Sequence, residues 1–460
     1  MNRLVAGSLR ALPDPLEVHG LTAPARATVQ LPGSKSITNR ALVCAALADG
    51  RTCITGALDS EDTDAMAGCL RALGVSVTGS VDPRGVETGN VTLTVQGSAG
   101  HLGGAGGNAP EPGLPPGMLD ARLSGTTSRF VAPLAALSGG SVLLDGAGPL
   151  RERPMADLFD ALGALGGVVE PLGVPGHLPV LIDGGAAGIP GGSVTVRGDV
   201  SSQFISGLLM AGPVMAQGLS VELDGPLVSR PYVSMTIDVM RSFGADVEAS
   251  DDLSRISVVP SGYRALEEYA VEPDASAASY FFALAAGGGG EVRVEGLGET
   301  SLQGDLGFVG VLAAMGAQIE RGTHHTTVRG TGELHGVEVD MVDISDTVPT
   351  LAALAPMAEG PTTIGGVGFV RGKETDRISS VVTELNRLGI DAEEHDDGLV
   401  VRPGRPNGQV VRTYDDHRMA MSFAVLGLLA GGVSIADPGC VAKTFPGFWD
   451  AVARLHPSGS

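Results

Sequence analysis

Residues 70–77, LRALGVSV, close an amphipathic helix on a glycine and open a strand, and the same phrase returns four times along the chain. It reads LGALGGVVE at 162–170, MRSFGADVE at 240–248, LAAMGAQIE at 312–320 and LNRLGIDAE at 385–393. Apolar residues at i and i+3 mark the buried stripe of a helix. The glycine that follows (Gly74, Gly166, Gly244, Gly316, Gly389) suits the left-handed conformation of a helix C-cap, and a β-like run comes next. These glycines stand roughly 70 to 90 residues apart, too far for a solenoid repeat and enough for two helices and a few strands. The spacing predicts five or six small α/β modules.

A boundary between two groups of modules is expected around residues 263–288, YRALEEYAVEPDASAASYFFALAAGG, where a new helix follows a strand. Two groups would leave a cleft, and ligand sites favour clefts. The tract GSAGHLGGAGGNAPEPGLPPG, 97–117, reads as a surface excursion between strands.

Length and composition agree with this division. A chain of 460 residues exceeds one ordinary core, and 43% hydrophobic against 18% charged residues describes a well-buried globular protein. A net charge of −22 argues against nucleic acid or an anionic membrane as partner. The N-terminal stretch has no apolar signal-like run and no later window gives 18 apolar residues, so a soluble cytoplasmic chain is expected. Cys44, Cys53, Cys69 and Cys440 lack CxxC spacing and read as reduced structural thiols. Of the 30 basic residues only Lys35, Lys373 and Lys443 are lysine, all in motif-like segments. A compact ammonium does what arginine cannot, so these three positions are candidates for chemistry.

Each lysine-bearing or hydroxyl-rich motif sits where a helix starts, with free N–H groups and a partial positive charge. LPGSKSITNRAL, 31–42, offers Lys35, Ser36 and Arg40 to an anion. RLSGTTSRFVAPLAAL, 122–137, adds Gly125; RERPM, 151–155, adds Arg153; and DVSSQFISGLLMAG, 199–212, adds Ser201, Ser202 and Gln203. The second half carries the charge: Asp346 in VDISDTVPTLAALA, Lys373, Glu374 and Arg377 in RGKETDRISSVVTELNRLG, and Asp415, Asp416, His417 and Arg418 in YDDHRMAMSFAVLGLLAGG. A capped and solvated helix end explains any one of these alone. No second His or Cys follows Asp415–His417 at ligand spacing, and THHTTV at 323–328 reads as strand surface, so no metal site is expected.

The ordered motifs LPGSKSITNRAL, GTTSRF, ERPM, SSQF, SRPY, KETDR, DDHRMAM and AKTFPGF carry a resemblance from about residue 19 to 452. The chain resembles the enolpyruvyl transferase family, and within it the 3-phosphoshikimate 1-carboxyvinyltransferases. The resemblance implies an α/β fold of two domains, each of three βαβαββ units with pseudo-threefold symmetry, an inside-out α/β barrel, with the cleft between them. The domains implied are 33–270, and 1–32 with 271–460. It implies that Lys35, Ser36, Arg40, Ser201, Ser202, Gln203, Ser229, Tyr232, Asp346 and Lys373 hold shikimate 3-phosphate. Lys35, Gly125, Arg153, Gln203, Arg377, Arg418 and Lys443 would hold phosphoenolpyruvate. Asp346 would act as base on the acceptor hydroxyl, with Glu374 and Lys35 in the other proton transfers. The implied enzyme is a cytoplasmic monomer of aromatic amino acid biosynthesis without metal or cofactor. It would be inhibited by glyphosate competitively with phosphoenolpyruvate, and a methyl at Gly125 would crowd that inhibitor more than the shorter substrate.

The chain departs from the family pattern in three places. Leu123 and Phe369 stand where an asparagine is common, and Phe130 where a proline is common. The UDP-N-acetylglucosamine branch of the fold carries a reactive cysteine where this chain has Gly148, which argues against that substrate.

Overall fold

The computed structural model describes residues 12–81, 88–103 and 117–455. Residues 104–116 of the glycine- and proline-rich tract fall outside them. The described residues divide into two compact units: the first holds 33–81, 90–103 and 117–271, the second 12–32, 88–89 and 272–455. Helices of unit 1 are α1 (Lys35–Leu47), α2 (Glu61–Ala72), α3 (Gly125–Leu137), α4 (Gly148–Arg151), α5 (Ala156–Ala164), α6 (Ser202–Ala211) and α7 (Arg230–Ser242). Those of unit 2 are α8 (Ala275–Gly288), α9 (Phe308–Ala314), α10 (Val348–Leu354), α11 (Arg377–Arg387), α12 (His417–Ala430) and α13 (Phe448–Ala453).

The five repeated phrases end α2, α5, α7, α9 and α11. Their glycines have φ of +89°, +96°, +82°, +109° and +80°. In each the next residue's N–H reaches back five positions: Val75 to Leu70, Gly167 to Leu162, Ala245 to Met240, Ala317 to Leu312 and Ile390 to Leu385, all at 2.9–3.0 Å. This closes the helix in a Schellman motif and turns the chain into an edge strand.

Five modules then repeat one four-stranded sheet pattern among the described residues. Met118–Asp120 runs parallel to Ser141–Asp145, which pairs antiparallel with Val180–Asp183, which pairs antiparallel with Val168–Pro171. The same order recurs in Gly192–Arg197 with Leu219–Asp224, Arg255–Val258 and Val247–Ala249. It recurs in unit 2 in Glu338–Asp340 with Thr362–Gly365, Gly398–Val401 and Ala392–His395. Parallel neighbours need a crossover, and in every module the helix leading into the inner strand of the parallel pair is the buried one. In unit 1 these are α1, α3 and α6; in unit 2, α8, α10 and α12, buried almost throughout. Each unit is therefore an inside-out α/β barrel, with its helices in the core and its sheets outside.

Two modules take a strand from elsewhere in the chain. Arg26–Val29 directly precedes α1 but pairs in unit 2 with Glu291–Glu295. Glu268–Ala270 directly precedes α8 but pairs in unit 1 with Cys53–Thr55. The sixth sheet joins Gln409–Val411 and Val433–Ile435 to Leu16–Val18. Within unit 2 the Asp274 N–H donates to the Pro32 carbonyl at 2.9 Å. Within unit 1 a Cβ on Gly33 would lie 1.9 Å from the Gly56 carbonyl oxygen, and one on Gly56 3.2 Å from that of Val271. Gly33 is thus glycine because another backbone occupies its side-chain space.

Candidate active site

In unit 1 the starts of α1, α2, α3 and α6 are joined by side chains. Ser34 caps α1 by accepting the Ile37 N–H, which leaves Lys35 in the first turn, 12% exposed and 3.3 Å from Asp62 Oδ2. Asp62 lies in the first turn of α2, and its carbonyl accepts from Thr127 Oγ1 of α3 at 3.2 Å. At the start of α3, Gly125 faces two guanidinium groups: a Cβ there would be 2.9 Å from Arg153 Nη1 and 3.1 Å from Arg129 Nη1. Gln203, in the first turn of α6, accepts from Arg129 at 2.6 Å and donates to Thr126 Oγ1 at 3.2 Å. Ser201 caps that helix and Ser202 follows it, so the hydroxyls and the amide share one helix start.

Arg40 lies deeper, 2% exposed. Its Nε donates to Thr236 Oγ1 (2.7 Å), Nη1 to the Ser36 carbonyl (2.9 Å), and Nη2 to Ser206 Oγ (3.3 Å) and the Tyr232 carbonyl (3.1 Å). Burial pushes its pKa down to about 10. Phe130 supports the guanidinium, 5.2 Å from its ring centroid, so this departure from the family pattern has a packing role. Tyr232 and Ser229 belong to the start of α7, where Ser229 takes a left-handed φ of +54°.

Unit 2 holds an alternating network of charges. Arg377, at the start of α11, donates from Nε to Asp416 Oδ2 (2.8 Å), from Nη1 to Asp346 Oδ1 (3.0 Å) and from Nη2 to Glu374 Oε2 (2.8 Å). Arg418 Nη2 donates to Asp346 Oδ2 at 2.6 Å, and Lys443 Nζ to Glu374 Oε1 at 3.0 Å. Lys373 Nζ stands 3.9 Å from Asp346 Oδ1 and 6.0 Å from the centroid of Phe369. Burial alone would lower the pKa of Arg377, but Asp416, Glu374 and Asp346 hold it well above the ordinary value. Tyr280 of α8, pushed up to about 12 by burial against the opposing pull of Arg418, sits 3.5 Å from Arg418 Nη1. Four cations thus meet three carboxylates in a buried cluster, a setting with capacity for further anions.

All three lysines of the chain stand beside a carboxylate at or near a helix start. The sequence places Thr126 and Arg129 at the start of α3 without a role, and its motifs do not mark Asp62, Tyr280 or the part Asp416 plays. Asp415 is exposed, but Asp416 and His417 are both 0% exposed, so the plain alternative of a solvated helix end does not hold for them. A signal existed: Asp62 precedes Ala65, Met66 and Cys69, and Asp416 precedes Met419, Ala420 and Phe423, all buried. At i+3, i+4 and i+7 these place each carboxylate on the apolar stripe of its helix. Leu123 is 37% exposed, and nothing in the structure explains it. Among the described residues no group of three His, Cys, Asp or Glu is disposed to hold a metal, and no helix is long and apolar enough to cross a membrane.

The likeness to known proteins covers nearly the whole chain. A sequence profile of the family described as EPSP synthase (3-phosphoshikimate 1-carboxyvinyltransferase) matches residues 21–452. A 3-phosphoshikimate 1-carboxyvinyltransferase of Nostoc punctiforme is 44% identical over 436 residues, 95% of this chain and 98% of that protein. One from Thiobacillus denitrificans is 44% identical over 438 residues, 94% of this chain and 97% of that protein. A solved structure described as EPSP synthase from Acinetobacter baumannii superposes with a TM-score of 0.77 at 28% identity, covering 96% of this chain and 98% of that one. Both charged clusters fall inside the matched residues, and the barrel architecture agrees throughout: the chain belongs to the EPSP synthase (3-phosphoshikimate 1-carboxyvinyltransferase) family.

Proposed function

We propose that the protein transfers the enolpyruvyl group of phosphoenolpyruvate to the 5-hydroxyl of shikimate 3-phosphate, releasing phosphate. Beyond family membership, the observation that carries the reading is the pair Asp346 and Glu374. Both carboxylates lie in one network, each on two or more of the cations Lys373, Arg377, Arg418 and Lys443. The same cations that hold these carboxylates can also bind the anions brought to them.

In this reading Lys35, Ser36, Ser201, Ser202, Gln203, Ser229, Tyr232 and Lys373 hold shikimate 3-phosphate, with the charge of Arg40 behind Ser36 and Tyr232. Lys35, Gly125, Arg153, Gln203, Arg377, Arg418 and Lys443 hold phosphoenolpyruvate. Asp346 takes the proton of the 5-hydroxyl as that oxygen bonds to C2 of the enolpyruvate, while Glu374 or Lys35 delivers a proton to C3. The C3 proton then passes back to the group that delivered it as the C2–O bond to phosphate breaks, and the departing phosphate takes up the proton held by Asp346, leaving the enol ether and inorganic phosphate. Fixed cations stabilise the charge carried by both phosphates and the carboxylate. Addition and elimination need proton transfer and anion stabilisation, both of which these side chains supply. The enzyme acts in this reading as a cytoplasmic monomer.

The test is phosphate release with each substrate omitted in turn. Release is expected only when both are present. Equal release with phosphoenolpyruvate alone, or none with the pair, overturns the proposal.

A further inference from the structure

The turn leading into α12 is strained. Tyr414 and Asp415 are consecutive non-glycine residues at φ of +55° and +56°, a conformation that L side chains adopt only at a cost and that surroundings must impose. Two grips impose it, both from α11. At the start of that helix Arg377 holds the Asp416 carboxylate. Seven residues, or about two turns, further on, Glu384 takes the other end: its carboxylate accepts from the Tyr414 hydroxyl at 2.7 Å and from the Arg412 N–H at 3.0 Å. Arg387 completes the pairing of Glu384, whose side chain is 1% exposed. Burial and the bond to Glu384 push the Tyr414 hydroxyl up to about 12, so it remains a donor at neutral pH.

Asp416 converts the turn into site geometry. The same carboxylate that accepts from Arg377 also accepts the Arg418 N–H at 2.9 Å, capping α12, and its own N–H donates to the Thr413 carbonyl at 2.9 Å. The direction of the Arg377 guanidinium and the start of the helix bearing Arg418 therefore depend on where this turn holds Asp416.

We infer that Tyr414 is a positioning residue for the phosphoenolpyruvate site: through Glu384 it holds the left-handed turn that places Asp416, and through Asp416 it orients Arg377 and Arg418. The inference rests on the assignment of those two arginines in the proposed function. Tyr414 is itself 37% exposed and Tyr414→Phe keeps the ring, so the substitution removes the hydroxyl alone.

Tyr414→Phe, Asp415→Gly and the double variant test it, with KM measured for each substrate together with Tm. Loss of a hydrogen bond to a carboxylate should raise the KM for phosphoenolpyruvate by about three- to tenfold in Tyr414→Phe. The KM for shikimate 3-phosphate should stay within about twofold. Glycine adopts the left-handed conformation freely, so Asp415→Gly should restore the phosphoenolpyruvate KM of the double variant to within about twofold of wild type. Three results would each overturn the inference while leaving the proposed function standing: an unchanged Tyr414→Phe, both KM values rising together, or a double variant as impaired as the single. A wild type that releases no phosphate from the substrate pair overturns the functional reading and this inference with it.

Discussion

Replacing Gly125 with alanine adds one methyl between two guanidinium groups, and the structure says how far each must move. The new Cβ would stand 2.9 Å from Arg153 Nη1 and 3.1 Å from Arg129 Nη1, whereas ordinary contact begins at 3.4 Å. The two groups must retreat by about 0.5 Å and about 0.3 Å. Both are ends of long side chains, so the cost to stability should stay at the low end of overpacking, about 1 kcal/mol. Arg129 is held by its bond to Gln203 and lies 5.4 Å from the Phe204 ring centroid, and Arg153 has the larger distance to yield. A hydrogen bond to a charged group contributes about 1.5–3 kcal/mol, and forfeiting roughly a third of one corresponds to a two- to fivefold rise in the KM for phosphoenolpyruvate. Glyphosate, the longer anion, should lose at least about ten times more affinity than the substrate, on the scale of an overpacked contact. The assay is phosphate release against phosphoenolpyruvate at several glyphosate concentrations, for wild type and variant. Equal losses for substrate and inhibitor would refute the argument, as would a wild type indifferent to millimolar glyphosate. A large fall in Tm would refute the claim that only side-chain ends move.

Asp346→Asn keeps the shape of the network but cannot accept the hydroxyl proton; turnover should fall by about 100-fold or more with shikimate 3-phosphate binding retained. Binding by calorimetry beside steady-state rates checks this, and equal losses in both would remove Asp346 from the role of base. Gly33→Ala drives a methyl into the Gly56 carbonyl, which cannot move aside as a side chain can; stability should fall by about 3 kcal/mol or more, read as soluble yield and denaturant midpoint. Treatment with EDTA should leave turnover unchanged, whereas activity regained only on adding a divalent ion would contradict the metal-free mechanism.

Much of the architecture was legible because its signals are local. A Schellman motif is written in six consecutive residues, so five glycines announce five helix stops. The scarcity of lysine likewise marked Lys35, Lys373 and Lys443 before any geometry was known. What stayed hidden depends on distant pairing. Asp62 and Asp416 look like capping acids until Lys35 and Arg377 are found beside them, and Arg40 reads as an anion-binding cation while its enclosure by Thr236 and Ser206 shows only in the fold. The strand Glu268–Ala270 has three residues, too few for alternation to show, and its partner is more than 200 residues earlier. Local pattern shows which residues are unusual; which of them meet is fixed by the topology.

The routing of the chain at residues 32–33 and 271–272 has a consequence for how such a gene can be cut and rejoined. Pro32 and Asp274 are hydrogen-bonded neighbours in unit 2, and Gly33 and Val271 both lie against Gly56 in unit 1, so each unit has its two severed ends side by side. Apart from Thr88 and Gly89, the described residues of 33–271 form an insertion between two adjacent points of unit 2. Excised, it carries its borrowed strand Glu268–Ala270 along; the host needs only a short linker from Pro32 to Glu272. The two sets of anion-binding groups thus lie on segments joined at two adjacent junctions, where relatives can be recombined.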